Sequence, residues 1–202
     1  TLKARKKVNQ ERNEFSKNAQ ATEILSDEDL NRNNSALIEQ SLSTISGVQV
    51  DKRTNIGGQR IVIRGFGNDQ KFNNWGVKVY WNNMPLTNAE GVTLLDDVDF
   101  SYVNNIEVIK GPASTFYGGG IGGTVKFYTR PGFEKGTSIA QNTMLGSHKY
   151  FQSITQLNSS DTNYSLNVNY GHIETDGYRP SGNGLKNFVN INGEYKLNPK
   201  QR

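Results

Sequence analysis

The sequence predicts an α+β domain, with short helices and a small four-stranded mixed sheet, followed by a series of antiparallel β-strands. Short apolar runs bounded by glycine, proline or asparagine predict the four strands, at residues 59–66, 76–81, 106–110 and 124–129. Beyond residue 133, apolar and polar residues alternate with a period of two, which is typical of strands with one apolar and one polar face. No run approaches the roughly 20 apolar residues that a membrane-spanning helix requires.

The composition excludes some kinds of site. The chain has 202 residues and no cysteine, so neither a disulfide framework nor a thiolate metal site is possible. The net charge of +4 is mild, and five Lys and Arg lie within the first twelve residues. Because no basic groove with interleaved aromatic residues accompanies them, we expect a flexible, solvated arm over residues 1–21 and no nucleic-acid partner. The chain begins at Thr1 without an initiator methionine or a signal peptide, so we expect a processed form or a piece of a longer protein.

Two short helices are predicted ahead of the first strand. Ser26 is a helix cap, with Asp29 three residues later and further acidic residues in the first turn. A second helix is predicted to begin near Ser35 and to end at Gly47. It carries apolar residues at i, i+4 and i+7, namely Ile38, Leu42 and Ile45.

The segment from Ile106 to Thr129 holds the most specific pattern in the chain. Its first strand is expected to end at Gly111 and Pro112, because proline has no N–H for a continuing ladder. Five of the six residues in Gly118–Gly123 have no side chain, and three of the glycines fit G-x-G-x-x-G. Phosphate binding requires that motif to open a helix, whereas a strand follows here. We therefore interpret the glycines as a turn in which two strands and a loop pack closely.

This segment resembles the C-terminal signature of the plug domain of TonB-dependent outer-membrane receptors, I-E-V-x-[RK]-G-P-x-S-x-x-Y-G-x-x-x-x-G-G-x-[IV]. The matching residues are Glu107, Lys110, Gly111, Pro112, Ser114, Tyr117, Gly118, Gly122 and Gly123. Three other segments are similar to plug motifs. ALIEQSLSTISGVQV resembles the helix and L-x-x-x-P-G-V, with Ser46 in place of proline, and residues 59–66 resemble I-x-I-R-G-F. Residues 77–86 resemble V-x-V-x-x-D-G-x-P-L, with Asn82 and Asn83 in place of Asp-Gly, and asparagine tolerates the left-handed turn.

The resemblance implies a domain organisation. Residues 1–21 would be a periplasmic arm, 22–133 the plug domain, and 134–202 the first four or so strands of an incomplete transmembrane β-barrel. Alternation alone fits a barrel wall and a soluble antiparallel sheet equally well, and the plug signature favours the barrel. The strands are expected near 137–146, 149–158, 164–170 and 189–197, with a tight connection at 146–149, a short one at 158–163 and a long one at 172–187.

No catalytic, cofactor or metal site is predicted. His148 and His172 are far apart in the sequence and form no metal-ligand spacing. The aspartates at 96, 97 and 99 lack the glycine turn and distal glutamate of a calcium loop, so we expect a solvated acidic turn. We therefore expect that the protein is not an enzyme.

Two polar loops are the candidate ligand-binding surface. Their candidate residues are Asn68, Gln70, Lys71, Asn73, Asn74 and Trp75 in the first loop and Thr87, Asn88 and Glu90 in the second. The resemblance implies that apical plug loops touch the substrate, and amide, charged and aromatic groups suit a polar chelate or a glycan. Ordinary solvated loops are the alternative. The resemblance also implies that Arg64 and Lys110 pair with barrel carboxylates.

The resemblance implies the N-terminal part of a receptor in the outer membrane of a Gram-negative bacterium. The expected function is energised uptake of a scarce small-molecule ligand, a ferric siderophore in preference to a glycan. The expected partners are a TonB-type energy-transducing protein, which reaches the plug from the periplasm, and outer-membrane lipid. A non-transporting surface or periplasmic binding module is the alternative. Because four strands cannot close a barrel, we expect the isolated chain to be neither a pore nor a stable monomer.

Overall fold

The computed structural model describes residues 21–32, 38–54, 56–68, 74–96, 98–112, 120–129 and 135–197. The chain divides into two compact units, the first made of Thr1–Arg53 and Gly57–Thr129 and the second of Thr54–Ile56 and Arg130–Arg202. In the described ranges, no helix is long and apolar enough to cross a membrane. The domain boundaries expected after residues 21 and 133 stay predictions.

The first helix, Asp27–Arg32, begins where the capping pattern predicts. The backbone N–H and the hydroxyl of Ser26 both donate to Oδ2 of Asp29, at 3.0 and 2.7 Å. Leu30 N donates to the carbonyl oxygen of Ser26 at 2.9 Å, which closes the first turn. The predicted cap is therefore confirmed.

The second helix, Ile38–Leu42, is short. The predicted apolar face is buried: Ile38 and Leu42 lie within the helix, and Ile45 lies in the turn that follows it. The predicted end at Gly47 is wrong, because the helix ends at Leu42 and residues 43–47 form turns before β2. Gly47 itself has a φ of 77°. The predicted start at Ser35 lies outside the described residues.

The described strands of the first unit form one mixed sheet of five strands and two sheets of two strands. In chain order they are β1 (Ala21–Leu25), β2 (Val48–Asp51), β3 (Arg60–Ile63), β4 (Asn74–Trp75), β5 (Val77–Trp81), β6 (Met84–Pro85), β7 (Val92–Thr93), β8 (Val103–Lys110) and β9 (Gly123–Thr129). The main sheet has the order β1-β8-β9-β5-β6, in which β5 and β9 are parallel and the other pairs antiparallel. The small sheets are β2-β3 and β4-β7. The predicted α+β class with a mixed sheet is confirmed.

Two strands join the main sheet beyond those predicted. β1 begins at Ala21, so the last residue of the predicted arm belongs to a strand. All five residues of β1 pair with β8, a contact between distant parts of the chain that no local pattern predicts. β6 joins through a two-residue hairpin turn, in which Asn82 and Asn83 have φ of 46° and 68°. These asparagines adopt the left-handed conformation expected of them.

The strand predicted at 59–66 is shorter and lies outside the main sheet. It ends at Ile63, and β3 pairs with β2. The chain reverses at Arg64 and Gly65, whose φ are 51° and 88°, and Ile63 and Phe66 exchange backbone hydrogen bonds of 2.9 and 3.0 Å. Two consecutive left-handed residues end the strand, because a continuing ladder requires extended backbone.

The core of the first unit lies around β5, β8 and β9. The fully buried side chains there include Val79, Ile106, Val108, Val125 and Phe127. Trp81, Phe100, Tyr102 and Phe127 form an aromatic cluster with ring centroids 4.9 to 6.2 Å apart. Each such buried side chain stabilises the fold by about 1.5–3 kcal/mol relative to exposure.

The glycines at the start of β9, Gly122 and Gly123, permit close backbone packing. A Cβ on Gly122 would lie 2.3 Å from Cβ of Phe66, and one on Gly123 would lie 2.4 Å from the carbonyl oxygen of Ile109. Gly123 also has a φ of 151°, which side chains rarely adopt. Gly122 N donates to the carbonyl oxygen of Gly76 at 2.9 Å. The interpretation as a close-packed turn is confirmed for Gly122 and Gly123, whereas Gly118 and Gly119 lie outside the described residues.

The second unit contains four described strands in one antiparallel sheet. They are β10 (Gly136–Gly146), β11 (Tyr150–Ser160), β12 (Tyr164–Thr175) and β13 (Gly184–Tyr195), each paired with the next. The first connection is as tight as predicted, and His148 and Lys149 in it have φ of 57° and 52°. β12 ends at Thr175 and not at residue 170, and β13 begins at Gly184 and not at residue 189, so the third connection spans 176–183 and not the whole of 172–187. His172 and Asn187 instead pair across the ladder.

Burial along much of β12 and β13 reverses the usual order, although Ile173 of β12 is buried. On β12, Asn167 and Asn169 are buried, whereas Leu166 and Tyr170 are exposed. On β13, four of the five large apolar side chains are exposed, namely Leu185, Val189, Ile191 and Tyr195, whereas Phe188, Asn190 and Asn192 are half-buried. A sheet of a water-soluble domain buries its apolar face. This sheet has the polarity of a membrane-barrel wall.

Candidate functional site

The two predicted ligand loops meet through a small sheet. β4 holds Asn74 and Trp75 at the end of the first loop, and these residues pair with Thr93 and Val92 of β7, which follows the second loop. Trp75 therefore lies beside the turn formed by residues 88–92. In the first loop Asn68 is exposed, while Gln70, Lys71 and Asn73 lie outside the described residues.

Asn88 builds the turn of the second loop. Its Oδ1 accepts hydrogen bonds from Glu90 N at 3.0 Å and Val92 N at 2.9 Å. Gly91 N donates to the carbonyl oxygen of Asn88 at 3.1 Å. A Cβ on Gly91 would lie 3.2 Å from Nε1 of Trp75, and the φ of Gly91 is 82°. The turn therefore requires glycine here, both for its backbone and for the indole beside it.

Thr87 fastens the same loop to the main sheet. Its hydroxyl oxygen accepts a hydrogen bond from Val79 N at 3.0 Å and lies 2.6 Å from Oγ1 of Thr93. Thr93 is buried. Thr87 and Asn88 thus hold the loop in shape, whereas the side chains of Trp75 and Glu90 are exposed. The exposed indole of Trp75 can stack on a ligand. The carboxylate of Glu90, in the neighbouring turn, can accept a hydrogen bond from the ligand.

Lys110 finds a carboxylate within the first unit. Its Nζ lies 3.4 Å from Oε1 of Glu23 on β1 and 3.3 Å from the carbonyl oxygen of Ser46. Sequence reasoning missed Glu23, because it is remote in the chain and joins Lys110 only through the β1–β8 pairing. Arg64 lies in the left-handed turn after β3. Contacts of Arg64 and Lys110 with barrel carboxylates stay predictions.

Glu107 of the signature is the centre of a buried polar group. Its Oε2 lies 3.3 Å from Nζ of Lys126 and accepts a hydrogen bond from the hydroxyl of Tyr128 at 3.3 Å. Glu107 and Lys126 are register partners on β8 and β9, so the pair joins these strands. Lys126 and Tyr128 alternate with the buried Val125 and Phe127 along β9, so both lie on one face of this strand.

The remaining signature residues divide into two sets. Gly111 has a φ of 102° at the end of β8, which ends before Pro112 as predicted, and Gly122 and Gly123 form the close-packed turn. Ser114, Tyr117 and Gly118 lie outside the described residues.

The predicted solvated acidic turn is wrong for Asp99. Asp99 is buried, and its Oδ1 accepts a hydrogen bond from Ser101 N at 2.9 Å. Asp96 accepts one from Gly58 N. Burial raises the pKa of nearby Tyr102, and the Asp99 charge adds to this effect. Among the described residues, no group of three or more His, Asp or Glu side chains gathers for a metal ion.

The fold and the loops together define a class of protein. A mixed-sheet unit with two joined polar loops, followed by strands that expose apolar side chains, is the arrangement of a receptor plug with barrel strands. Residues 15–124 match the family model of the TonB-dependent receptor plug domain. Since the match covers more than half of the chain, the chain belongs to this family.

Solved structures share the fold at low sequence identity. The ferric yersiniabactin uptake receptor FyuA from Yersinia pestis has a TM-score of 0.66 and 19% identity, over 89% of this chain and 29% of its own. The copper transporter OprC has a TM-score of 0.65 and 17% identity, over 88% of this chain and 28% of its own. The siderophore receptor PirA from Pseudomonas aeruginosa has a TM-score of 0.61 and 20% identity, over 91% of this chain and 34% of its own. The chain spans about a third of the length of these proteins. They are receptors and transporters, not enzymes, and the likeness confirms a plug fold followed by barrel strands.

Proposed function

We propose that the chain is the N-terminal part of a TonB-dependent outer-membrane receptor for energised uptake of a ferric siderophore. The observation that carries this proposal is that one chain joins a plug-family unit to strands that expose their apolar residues. The proposed organisation is a periplasmic arm over residues 1–21, a plug over 22–133 and barrel strands over 134–202. The proposed location is the outer membrane of a Gram-negative bacterium.

The proposed ligand surface is the joined pair of loops. Its residues are Asn68, Gln70, Lys71, Asn73, Asn74, Trp75, Thr87, Asn88 and Glu90. Trp75 and Glu90 are proposed to contact the ligand, and Thr87 and Asn88 to hold the turn through the hydrogen bonds described above. A turn that is already ordered loses little conformational entropy when a ligand binds. The similar siderophore receptors and the copper transporter support a metal chelate as the ligand.

The proposed energy-transducing partner is a TonB-type protein that reaches the plug from the periplasm and binds a segment upstream of the plug by strand addition. β1 lies at one end of the main sheet and pairs with β8 alone in that sheet. Force on the arm would therefore reach the β1–β8 ladder first, together with the Glu23–Lys110 contact of 3.4 Å. We propose that Arg64 and Lys110 hold the plug to the barrel until this rearrangement.

Uptake by cells that carry the complete gene tests the function. Labelled ferric siderophores, copper and oligosaccharides are supplied with the TonB-type protein present or deleted. We expect ferric siderophores to accumulate only when that protein is present. Binding without accumulation would favour the non-transporting module, and accumulation of copper or oligosaccharide instead would replace the proposed ligand.

A further inference from the structure

The small sheet that joins the candidate loops has an outward apolar face. Trp75 of β4 and Val92 of β7 are register partners, so their side chains share one face of this sheet. Leu94 follows two residues after Val92 and is 54% exposed, whereas its neighbours Thr93 and Leu95 are buried. We call Trp75, Val92 and Leu94 the apolar triad. The indole of Trp75 is 41% exposed, so the triad offers an aromatic and an aliphatic surface to a ligand.

The charge beside the apolar triad is negative. Residues 68–75 contain one aspartate and one lysine, and residues 87–91 contain Glu90 as their only charged residue. The two loops therefore carry a net charge of −1, whereas the whole chain carries +4. Glu90 is exposed, and it lies two residues before Val92 in the turn that Asn88 holds. A ligand on the triad therefore lies close to a carboxylate.

Basic side chains of the first unit are engaged elsewhere. Lys78 lies over the ring of Tyr80, with 5.8 Å from Nζ to the ring centroid. Among the described residues of the two loops there is no lysine or arginine. These residues thus provide stacking, hydrocarbon contact and a negative charge, but no positive charge that would attract an anion. Five further cations contact carboxylates within the first unit: Arg32, Lys52, Arg60, Lys110 and Lys126.

We infer that the candidate loops select a ferric chelate that has a hydrocarbon surface and no net negative charge, of the tris-hydroxamate class. This inference rests on the proposed uptake of a ferric siderophore. Fe³⁺ bound by three singly charged hydroxamates is neutral, whereas Fe³⁺ bound by three doubly charged catecholates carries three negative charges. Apolar contact with the triad is open to both classes, so charge discriminates between them.

The size of the charge effect follows from Coulomb's law. With about 8 Å between the carboxylate of Glu90 and the chelate, repulsion weakens the binding of a triply negative chelate roughly tenfold at low ionic strength. A neutral chelate is not repelled, and an N–H group on it can donate a charge-assisted hydrogen bond to Glu90. The same residue therefore acts in opposite directions on the two classes of chelate.

Binding of two ferric chelates to the purified complete receptor at low ionic strength tests the inference. The probes are a neutral ferric tris-hydroxamate and a triply negative ferric tris-catecholate. We expect the unmodified receptor to bind the tris-hydroxamate more tightly. Glu90→Gln should weaken binding of the tris-hydroxamate roughly threefold and strengthen binding of the tris-catecholate roughly tenfold. Glu28→Gln makes the same charge change on the helix Asp27–Arg32 and should alter neither affinity.

Two results of this titration would overturn the inference. One is tighter binding of the tris-catecholate than of the tris-hydroxamate by the unmodified receptor. The other is a change in the same direction for both chelates in Glu90→Gln, because a charge effect must act on the anionic chelate alone. Heat-modifiable migration on gels shows that each variant has folded.

A second pair of variants tests the apolar triad. Leu94 and Met84 are exposed apolar side chains of the first unit, at 54% and 61%, and Met84 lies on β6, outside the candidate loops. We expect Leu94→Ser to weaken binding of the tris-hydroxamate roughly fivefold, because hydrocarbon contact is lost. Met84→Ser should leave this affinity unchanged. Equal affinities in the two variants would overturn the inference.

Uptake by cells that carry the complete gene separates this inference from the proposed function. Each labelled chelate is supplied with the TonB-type protein present or deleted. Faster TonB-dependent accumulation of the tris-hydroxamate supports the inference. Equal or faster TonB-dependent accumulation of the tris-catecholate overturns the inference and leaves the proposed function in place. Accumulation of neither ferric chelate overturns both.

Discussion

In strand β9 of the first unit Val125 and Phe127 are fully buried, whereas in strand β12 of the second unit the fully buried side chain is Asn169. Both strands alternate with a period of two, and both are paired in antiparallel ladders. The period thus identifies a strand in either unit. Which face is buried depends on what surrounds the strand. The apolar face is buried in β9, whereas Asn167 and Asn169 on the polar face are buried in β12.

The largest effect is expected in the close-packed turn of the first unit. Gly123→Val places a branched side chain 2.4 Å from the Ile109 carbonyl oxygen at a φ of 151°. Strain and overpacking together predict a loss of about 4 kcal/mol or more in the free energy of unfolding of this unit. Urea unfolding of the purified receptor, followed by tryptophan fluorescence, measures it. Gly65→Asn is the control, because nothing lies within 4 Å of its Cβ and asparagine tolerates its φ of 88°. Equal losses in both variants would contradict the packing argument.

A matched pair of valines tests the reversal of burial directly. Val125 is 0% exposed in the first unit and Val189 is 64% exposed in the second. Val125→Ala removes buried methyl groups and leaves a cavity, so we expect a loss of about 2 kcal/mol. Val189→Ala is expected to change the unfolding free energy by less than about 0.5 kcal/mol in detergent. The same urea titration, monitored for each unit, measures both. A larger loss at Val189 would show that its face is covered.

A smaller effect is expected in the candidate loop. Asn88→Ala removes the acceptor of the Glu90 and Val92 amides. We expect a loss of about 1–2 kcal/mol, because two partly exposed N–H groups turn to water. Ligand affinity, measured by calorimetry on the complete receptor, should fall because the turn loses its order. Glu90→Gln keeps the turn, so it should leave stability unchanged and alter affinity alone. A stability loss in Glu90→Gln would contradict this division of roles.

The smallest effect is a change in the pH dependence of stability that is expected only at alkaline pH. Burial and Asp99 raise the pKa of Tyr102 in the folded state. The unfolded state ionises first, so this contribution to stability is fully present below about pH 10 and is lost as the pH rises toward the folded pKa. Tyr102→Phe should therefore lose less stability than the unmodified protein between about pH 10 and 11.5. If the unfolding free energies of Tyr102→Phe and of the unmodified protein fell with pH at the same slope, the raised pKa of Tyr102 in the folded state would be refuted.

The candidate site was partly predictable from sequence. The sequence indicated two polar loops as candidates. Only the folded chain shows that Thr87 and Asn88 hold the second loop in shape, while Trp75 is exposed. Asn88 is satisfied by amides two and four residues away, whereas Trp75 reaches this turn through the β4–β7 pairing. A pairing between separated segments leaves no local pattern in the sequence.

By itself the sequence determined the elements whose signals are local. The cap at Ser26, the left-handed turn at Asn82 and Asn83, and the period of the strands depend on residues within a few positions of one another. Only the tertiary structure decided that β1 joins β8 and that Lys110 meets Glu23, because these contacts join distant segments. It also decided that the second unit exposes its apolar face. A strand whose residues alternate with a period of two has one apolar and one polar face, and the surroundings of the sheet determine which face is buried.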